Sequence, residues 1–350
     1  MKVLIADDGA GAHTMDRQAW AKVLGYSNHE VTYWNLQQKP AFDAFNESNP
    51  DLFYGQLYNL DRAAMKCLLA RKGKTRVVLR AGNWGTITDT MDLKKYPVLV
   101  ASEDDKKKAD LLRKEDCLDF LHIHYHQKRI AETMGHWEKE GYKVVGLPNA
   151  ADLFLYYRSH FQKEFETDIS IVSGYWPYKA QNLNRYIFPL CSPVGKYRIR
   201  IYGKQHWPVG QYLGPIQPEN EKLVYASTKI NIDVGEPHGE MFGFDQTERL
   251  FKVACAGGFY LHGGYITTTH EDFFDKGVVM YGENPKDFEG RIEYWLKDDE
   301  SRKKYAEMLH KEVIGYETYF DRVATMFNEL SLEKEAEAIL VHKEKYLTGN

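Results

Sequence analysis

Residues 202–259 read YGKQHWPVGQYLGPIQPENEKLVYASTKINIDVGEPHGEMFGFDQTERLFKVACAGGF, and much of what could do chemistry is gathered there. Three strand-then-turn signals follow in order, with basic and acidic residues clustered between the second and the third. That arrangement fits one half of a parallel α/β sheet whose strand ends form a phosphate and sugar site. Arg249 and Lys252 open the helical stretch ERLFKVACAGG and would point their charge at one place, as a diphosphate requires. Glu240 and Glu248 supply acids beside them. His238 and Gly239 sit in the loop after TKINIDV, where glycines allow close backbone approach to a ligand.

A second group of candidates lies at the N-terminus. MKVLIA is a short apolar run, followed by Asp7-Asp8-Gly9-Ala10-Gly11-Ala12-His13 and the helical DRQAWAKVLGY. Strand, Gly-rich turn and helix open a Rossmann-like unit, with Asp8, Gly9, Gly11 and His13 at the strand end. The spacing lacks the third glycine of a dinucleotide fingerprint. A neutral His13 could act as a base or bind an acceptor or phosphate. His122, His124 and His126 alternate in LHIHYHQ, and a strand would set all three on one face. Neighbours about 6.5 to 7 Å apart strain a single tetrahedral zinc site, so no metal ligands are assigned.

Positioning these residues takes two sets of elements. Strand candidates at 51–54, 76–79, 98–101, 120–124 and 144–147 continue the first series, with helices at 60–71 and 127–140. A second series begins at 168 and includes 197–202, 229–233, 258–261 and 278–281. Alternation of strand and helix predicts mostly parallel sheets with helices on both faces. The fold expected is α/β, with two Rossmann-like domains over 1–160 and 161–319. The tail, 320–350, reads helical, with Leu332, Ala336 and Ile339 recurring on one helix face.

Composition sets the outer limits. A chain of 350 residues exceeds one ordinary core, and 43% apolar with 27% charged residues is an ordinary globular balance. The net charge of −4 gives no global attraction to nucleic acid or anionic lipid. No run of about 18 apolar residues and no leader pattern is present, which predicts a cytoplasmic protein without a membrane span. Cys67, Cys117, Cys191 and Cys255 are widely spaced and are expected to be reduced, buried thiols.

From about 141 to 323 the order of motifs resembles nucleotide-sugar glycosyltransferases of the GT-B fold, in particular the spore-maturation CgeB-like group. The segments that carry the resemblance are LPNAAD, RIRIYG, QYLGPIQ, STKINIDV, RLFKVACAGG and the tail from GENPKDFEG. The resemblance implies two Rossmann-like domains facing each other across a cleft, and sugar transfer from a nucleotide-diphosphate sugar, UDP-sugar foremost, to a hydroxyl acceptor. It implies a retaining reaction that is metal-independent, a divalent ion being the alternative. It places a phosphate-facing cation at Lys179, and it implies that the tail, 320–350, packs back on the first domain. The nucleobase would rest on backbone near Tyr202, Gly203, Pro215 and Ile216.

Two registers compete at the acids. Glu240 to Glu248 has the E-x-F-G-x4-E spacing of many retaining members, whose second Glu binds the ribose. Aligning ACAGG instead puts Lys252 at that Glu's place, and this register is preferred because Arg249, Phe251 and Gly257 then also match. Glu248 could still reach the ribose from one turn earlier.

The acceptor is open between a glycan, protein or small molecule and DNA carrying hydroxymethylated bases. The latter would use basic segments such as KYRIRIYGKQHW and RKGKTRVVLR. A non-catalytic sugar-nucleotide-binding protein is the third reading, suggested by Lys252, and an epimerase of the same architecture the fourth.

Overall fold

The computed structural model describes residues 1–9, 11–81, 103–177, 179–235, 247–264, 274 and 277–349, without the side chains of 11–13 and 132–133. It divides into two compact units, Met1–Pro148 with Tyr319–Asn350, and Asn149–Thr318.

In the first unit, β1 (Lys2–Asp7), α1 (Gly11–Tyr26), β2 (Glu30–Asn35), α2 (Ala41–Ser48), β3 (Leu52–Gln56), α3 (Arg62–Ala70) and β4 (Arg76–Arg80) alternate. They continue through α4 (Glu103–Lys114), β5 (Phe120–Ile123), the short α5 (Ile130–Thr133) and α6 (Gly135–Lys139), and β6 (Val144–Gly146). The sheet runs β2-β1-β3-β4-β5-β6, parallel at every pairing. Val3, Leu4, Ile5, Leu52, Phe53, Val78 and Leu79 are all at most 1% exposed. Such continuous apolar runs are what strands covered on both faces need. Local signals stop and start the helices: the Asp61 carboxylate accepts the Ala64 N–H at 2.7 Å ahead of α3, and Asn49 ends α2 at φ 42°.

The second unit contains β7 (Thr167–Val172), α7 (Ala180–Tyr186), α8 (Phe188–Cys191), β8 (Ile199–Tyr202), α9 (Pro218–Ser227), β9 (Thr228–Val234) and α10 (Glu248–Ala256). After them come β10 (Tyr260–Gly263), β11 (Met280–Gly282), α11 (Pro285–Lys297) and α12 (Asp299–Tyr316). The sheet order is β11-β10-β9-β7-β8, again parallel. Ile169, Ile171, Ile201, Ile230 and Ile232 pack into one cluster with Phe288 and Ile292 of α11. The alternate residues are polar: the Ser170 hydroxyl donates to Asn231 Oδ1 at 2.7 Å, and Asn231 Nδ2 donates to the Tyr225 and Phe259 carbonyls. Two helices complete the chain and belong to the first unit, α13 (Tyr319–Glu329) and α14 (Glu333–Thr348). Ala336 and Ile339 of α14 are buried, at the helical spacing expected.

Several expectations are corrected. β2 was not anticipated, because EVTYWN is a partly exposed edge strand with little apolar signal. The helix expected over 127–140 is broken into a 3-10 turn, Gln127–Arg129, and two short helices separated at Met134. β5 ends at Ile123, so His124 and His126 leave the strand, and the three imidazoles do not share a strand face. The strand expected at 98–101 lies outside the described residues.

All four cysteines are free and buried. Among the described residues no helix is long and apolar enough to cross a membrane.

Candidate functional site

In the second unit the chain runs from β7 outward to β8, then crosses back to β9 on the other side of β7. In open parallel sheets the carboxyl ends of two strands that part in this way form a crevice suited to ligands. The residue that ties those two ends together is Arg249. Its Nε donates to the Val172 carbonyl at the end of β7 at 2.7 Å, and its Nη1 pairs with the carboxylate of Asp233 in β9. Asp233 is fully buried, and it also accepts hydrogen bonds from the Thr247 hydroxyl and from Tyr260, the latter at 3.1 Å. Thr247 is the N-cap of α10, so this network sets the helix N-terminus against the strand ends. Unpaired backbone N–H groups and the helix dipole make such an end receptive to an anion.

Glu248 is the first residue of α10 and Lys252 lies one turn on. The expectation that Arg249 and Lys252 point at one place is corrected by their partners. Arg249 reaches the strand ends, whereas Lys252 Nζ lies 3.1 Å from Glu248 and 3.7 Å from Glu221 of α9.

Tyr202 closes β8, and its carbonyl accepts the Ser173 N–H at 2.8 Å. Gly203 follows where only glycine fits, since a Cβ there would meet the Ser173 carbonyl oxygen at 2.2 Å. The Gly203 N–H donates to the Gly214 carbonyl at 3.0 Å, and Tyr212 OH donates to the Gly203 carbonyl at 2.8 Å. This folds the segment carrying exposed Pro215 and half-buried Ile216 back against the end of β8. Lys179 is the N-cap residue of α7, beyond β7, with its N–H on the Trp176 carbonyl at 2.9 Å. Trp207 is a core residue, fully buried and donating to the Ser173 carbonyl at 2.7 Å. His238, Gly239 and Glu240 lie outside the described residues.

The carboxyl edge of the first unit's sheet holds a separate polar group. Asp7, 1% exposed, pairs with Arg17 at 2.6 Å and accepts from Tyr33 OH at 2.6 Å. Burial, followed by the hydrogen bond to Asp7, pushes the Tyr33 phenol upward. Asp8 accepts from Asn59 Nδ2 at 2.8 Å and lies 3.5 Å from Arg17. Gly9 has φ 75°, a left-handed conformation that lets the chain turn off β1. Gly11 opens α1, and the His13 side chain lies outside the described residues.

Gln56, Arg80 and His122 stand opposite one another across β3, β4 and β5. His122 stacks on Tyr54 at 5.3 Å, and Tyr54 on Trp20 at 4.9 Å. Burial and then the charges of Arg80 and Arg17 pull the His122 pKa well down, so the ring is neutral. Among the described residues no three His, Cys, Asp or Glu side chains are grouped to hold a metal ion.

Sequence reading named Arg249, Glu248, Gly203 and Asp8 as candidates, and the structure adds the partners Asp233 and Val172 of Arg249 and Glu221 of Lys252. The available signal for Asp233 was an acid at the end of a buried apolar strand, since a buried carboxylate demands a partner.

Residues 185–328 match a family model described as Glycosyl transferase-like. Among solved structures, an alpha-glucosyltransferase in complex with UDP-glucose and DNA containing an abasic site superposes with a TM-score of 0.66 at 10% identity, covering 94% of this chain and 98% of that one. Anabaena HepE in complex with UDP gives 0.59 at 11% identity, over 95% and 100% of the two chains. A putative UDP-N-acetylglucosamine 2-epimerase from Listeria monocytogenes gives 0.53 at 10% identity, over 100% and 97%. No curated protein matches the chain. At such identities the structural likeness is one of fold: the chain has the two-domain α/β GT-B fold, and its segment similar to glycosyl transferase-like domains covers 185–318 of the second unit and 319–328 of the first.

Proposed function

We propose that the protein transfers a sugar from a UDP-sugar to a hydroxyl acceptor, with retention of anomeric configuration and without a metal cofactor. The observation that carries this reading is the planting of the α10 N-terminus at the ends of β7 and β9 through Arg249, Asp233 and Val172. As the anomeric bond breaks, charge grows on the leaving diphosphate, and fixed donors aimed at it lower the barrier. The α10 N-terminus supplies such donors. Arg249 uses Nε and Nη1 inside the protein, and its Nη2 would be the route to a phosphate oxygen. Lys179, from the turn after β7, is the second cation. Glu248 accepts the ribose hydroxyls, and the backbone around Pro215 and Ile216 supports the base.

Several structural neighbours were solved with UDP or UDP-glucose, which favours that donor. The Glu240 to Glu248 spacing favours retention. A retaining transfer on the leaving-group face needs no protein base, so no catalytic base is assigned to Asp8 or His13. The account fits a cytoplasmic enzyme.

Incubating the protein with UDP-glucose and following the anomeric proton signals by NMR tests the reading. Slow release of α-glucose, the configuration of the donor, is expected. Release of β-glucose would exclude retention, and release of a free epimer would identify an epimerase.

A second acceptor reading, a hydroxymethylated base in DNA, is favoured by neighbours solved with DNA containing a HMU base. The basic segments that suggested it are partly occupied, however. Arg76 pairs with Asp119 at 2.5 Å and Arg198 with Asp168 at 3.0 Å, while Lys196 pairs with Glu289. Binding to duplex DNA that weakens steeply between 50 and 200 mM salt, as about six or more phosphate contacts would require, would support DNA as the acceptor.

A further inference from the structure

Lys252 occupies the position at which the sequence resemblance expects an acid. Its side chain is 11% exposed and its ammonium lies between two carboxylates, Glu248 at 3.1 Å and Glu221 at 3.7 Å. It also lies 5.1 Å from the centroid of the Tyr156 ring. Glu221 is held in turn by Tyr156 OH at 2.6 Å and Tyr225 OH at 3.3 Å. Of the three charged groups Glu248 is the most open, at 22% against 13% for Glu221 and 11% for Lys252. Glu248 is also the one that opens α10.

Two carboxylates that share so small a space repel, and the ammonium between them offsets that repulsion and holds both in place. The ammonium is engaged twice and mostly buried, so it is poorly placed to serve a phosphate itself. Burial alone would weaken the charge on Lys252, but Glu248 and Glu221 outweigh that and hold it protonated. The substitution of a cation for the family acid is therefore compensated one turn earlier.

We propose that Lys252 is a positioning residue that fixes the Glu248 carboxylate as the acceptor for the ribose diol, so that the site selects ribonucleoside over deoxyribonucleoside diphosphates. This rests on the donor-site reading above. A vicinal diol presents two O–H donors to one carboxylate, and removing the 2′-hydroxyl leaves one of its acceptor positions unmatched. One hydrogen bond to a charged group contributes about 1.5–3 kcal/mol, roughly tenfold or more in affinity.

The test is calorimetric binding of UDP and 2′-deoxy-UDP to the full chain, as wild type and as K252M, K252R and E248Q. The wild type is expected to prefer UDP about tenfold or more, and E248Q to lose that preference. K252M should bring the ratio near one while leaving the affinity for 2′-deoxy-UDP within about threefold, and K252R should restore the preference. Should K252M not fold, K252Q, which keeps a hydrogen-bonding side chain without the charge, is expected to lose the preference in the same way.

An unchanged ratio in the uncharged variant would overturn the proposal. So would an equal loss of both nucleotides, which would mark Lys252 as a phosphate ligand or a general stabiliser. Wild-type protein that binds both nucleotides alike would overturn it while leaving the donor site standing. Failure to bind any nucleoside diphosphate would overturn the donor-site reading, and this proposal with it.

Discussion

Arg249 and Asp233 form an ion pair whose carboxylate is fully buried, and the same guanidinium donates to the Val172 carbonyl at 2.7 Å. One side chain thus closes the gap between β9 and β7 and anchors the helix that follows. Removing one partner of a buried pair strands the other charge, at a cost of about 3–5 kcal/mol. Asp233→Ala is therefore expected to lower stability in urea denaturation by about that amount. Arg249→Lys should cost less but still destabilise, because an ammonium keeps the charge yet lacks the planar fork that serves two acceptors. A change below about 1 kcal/mol in Asp233→Ala would mean that the pair does not organise the strand ends.

Gly203 makes a sharper steric prediction. A Cβ would lie 2.2 Å from the Ser173 carbonyl oxygen, a backbone atom that cannot step aside as a side chain would. Gly203→Ala should cost about 1–3 kcal/mol and weaken nucleotide binding by displacing the segment around Pro215. Gly210→Ala, where nothing lies within 4 Å, is the control and should be nearly neutral. Equal effects at the two positions would contradict the close approach.

His29 predicts a pH dependence for the first unit. Burial, then the N-terminal ammonium, lowers its pKa to about 4, against a partial opposing effect of Glu335. The ring also packs against Phe327 at 5.3 Å. A folded-state value below the unfolded value near 6.5 means that the folded chain binds the proton less readily. The stability is fully present above about pH 6.5 and falls as the pH drops toward 4. Thermal melts between pH 4.5 and 7.5 should show a steeper acid decline for wild type than for His29→Gln. Parallel curves would remove His29 as the cause.

Much of the framework was legible because its strands are chemically uniform. KVLIAD, DISIV and TKINIDV are apolar runs of strand length, and burial on both faces of a parallel sheet leaves that mark. β2 left no such mark, since an edge strand needs apolar residues on only part of its surface. The stretch 127–140 kept helical composition through a break at Met134 that no proline or glycine pair announces.

At the site, sequence spacing named the charged residues but not their directions. Arg249 and Lys252 are three apart on α10, close enough to be read as one cluster. Only the packing of α9 against α10 shows that Lys252 meets Glu221 and Glu248 while Arg249 meets Asp233. The same packing engages Lys252 with two acids and leaves Glu248 the more open of the pair, at 22% exposure against 11%.

The most direct measurement of the central claim is calorimetric titration of the full chain with UDP, GDP, ADP, CDP and dTDP in the presence of EDTA. The account predicts one-site binding that is tightest for UDP and survives the chelator, with the helix N-terminus and the cations neutralising the diphosphate. Binding that requires an added divalent ion would contradict the metal-free site, and no binding of any of the five would contradict the donor site itself.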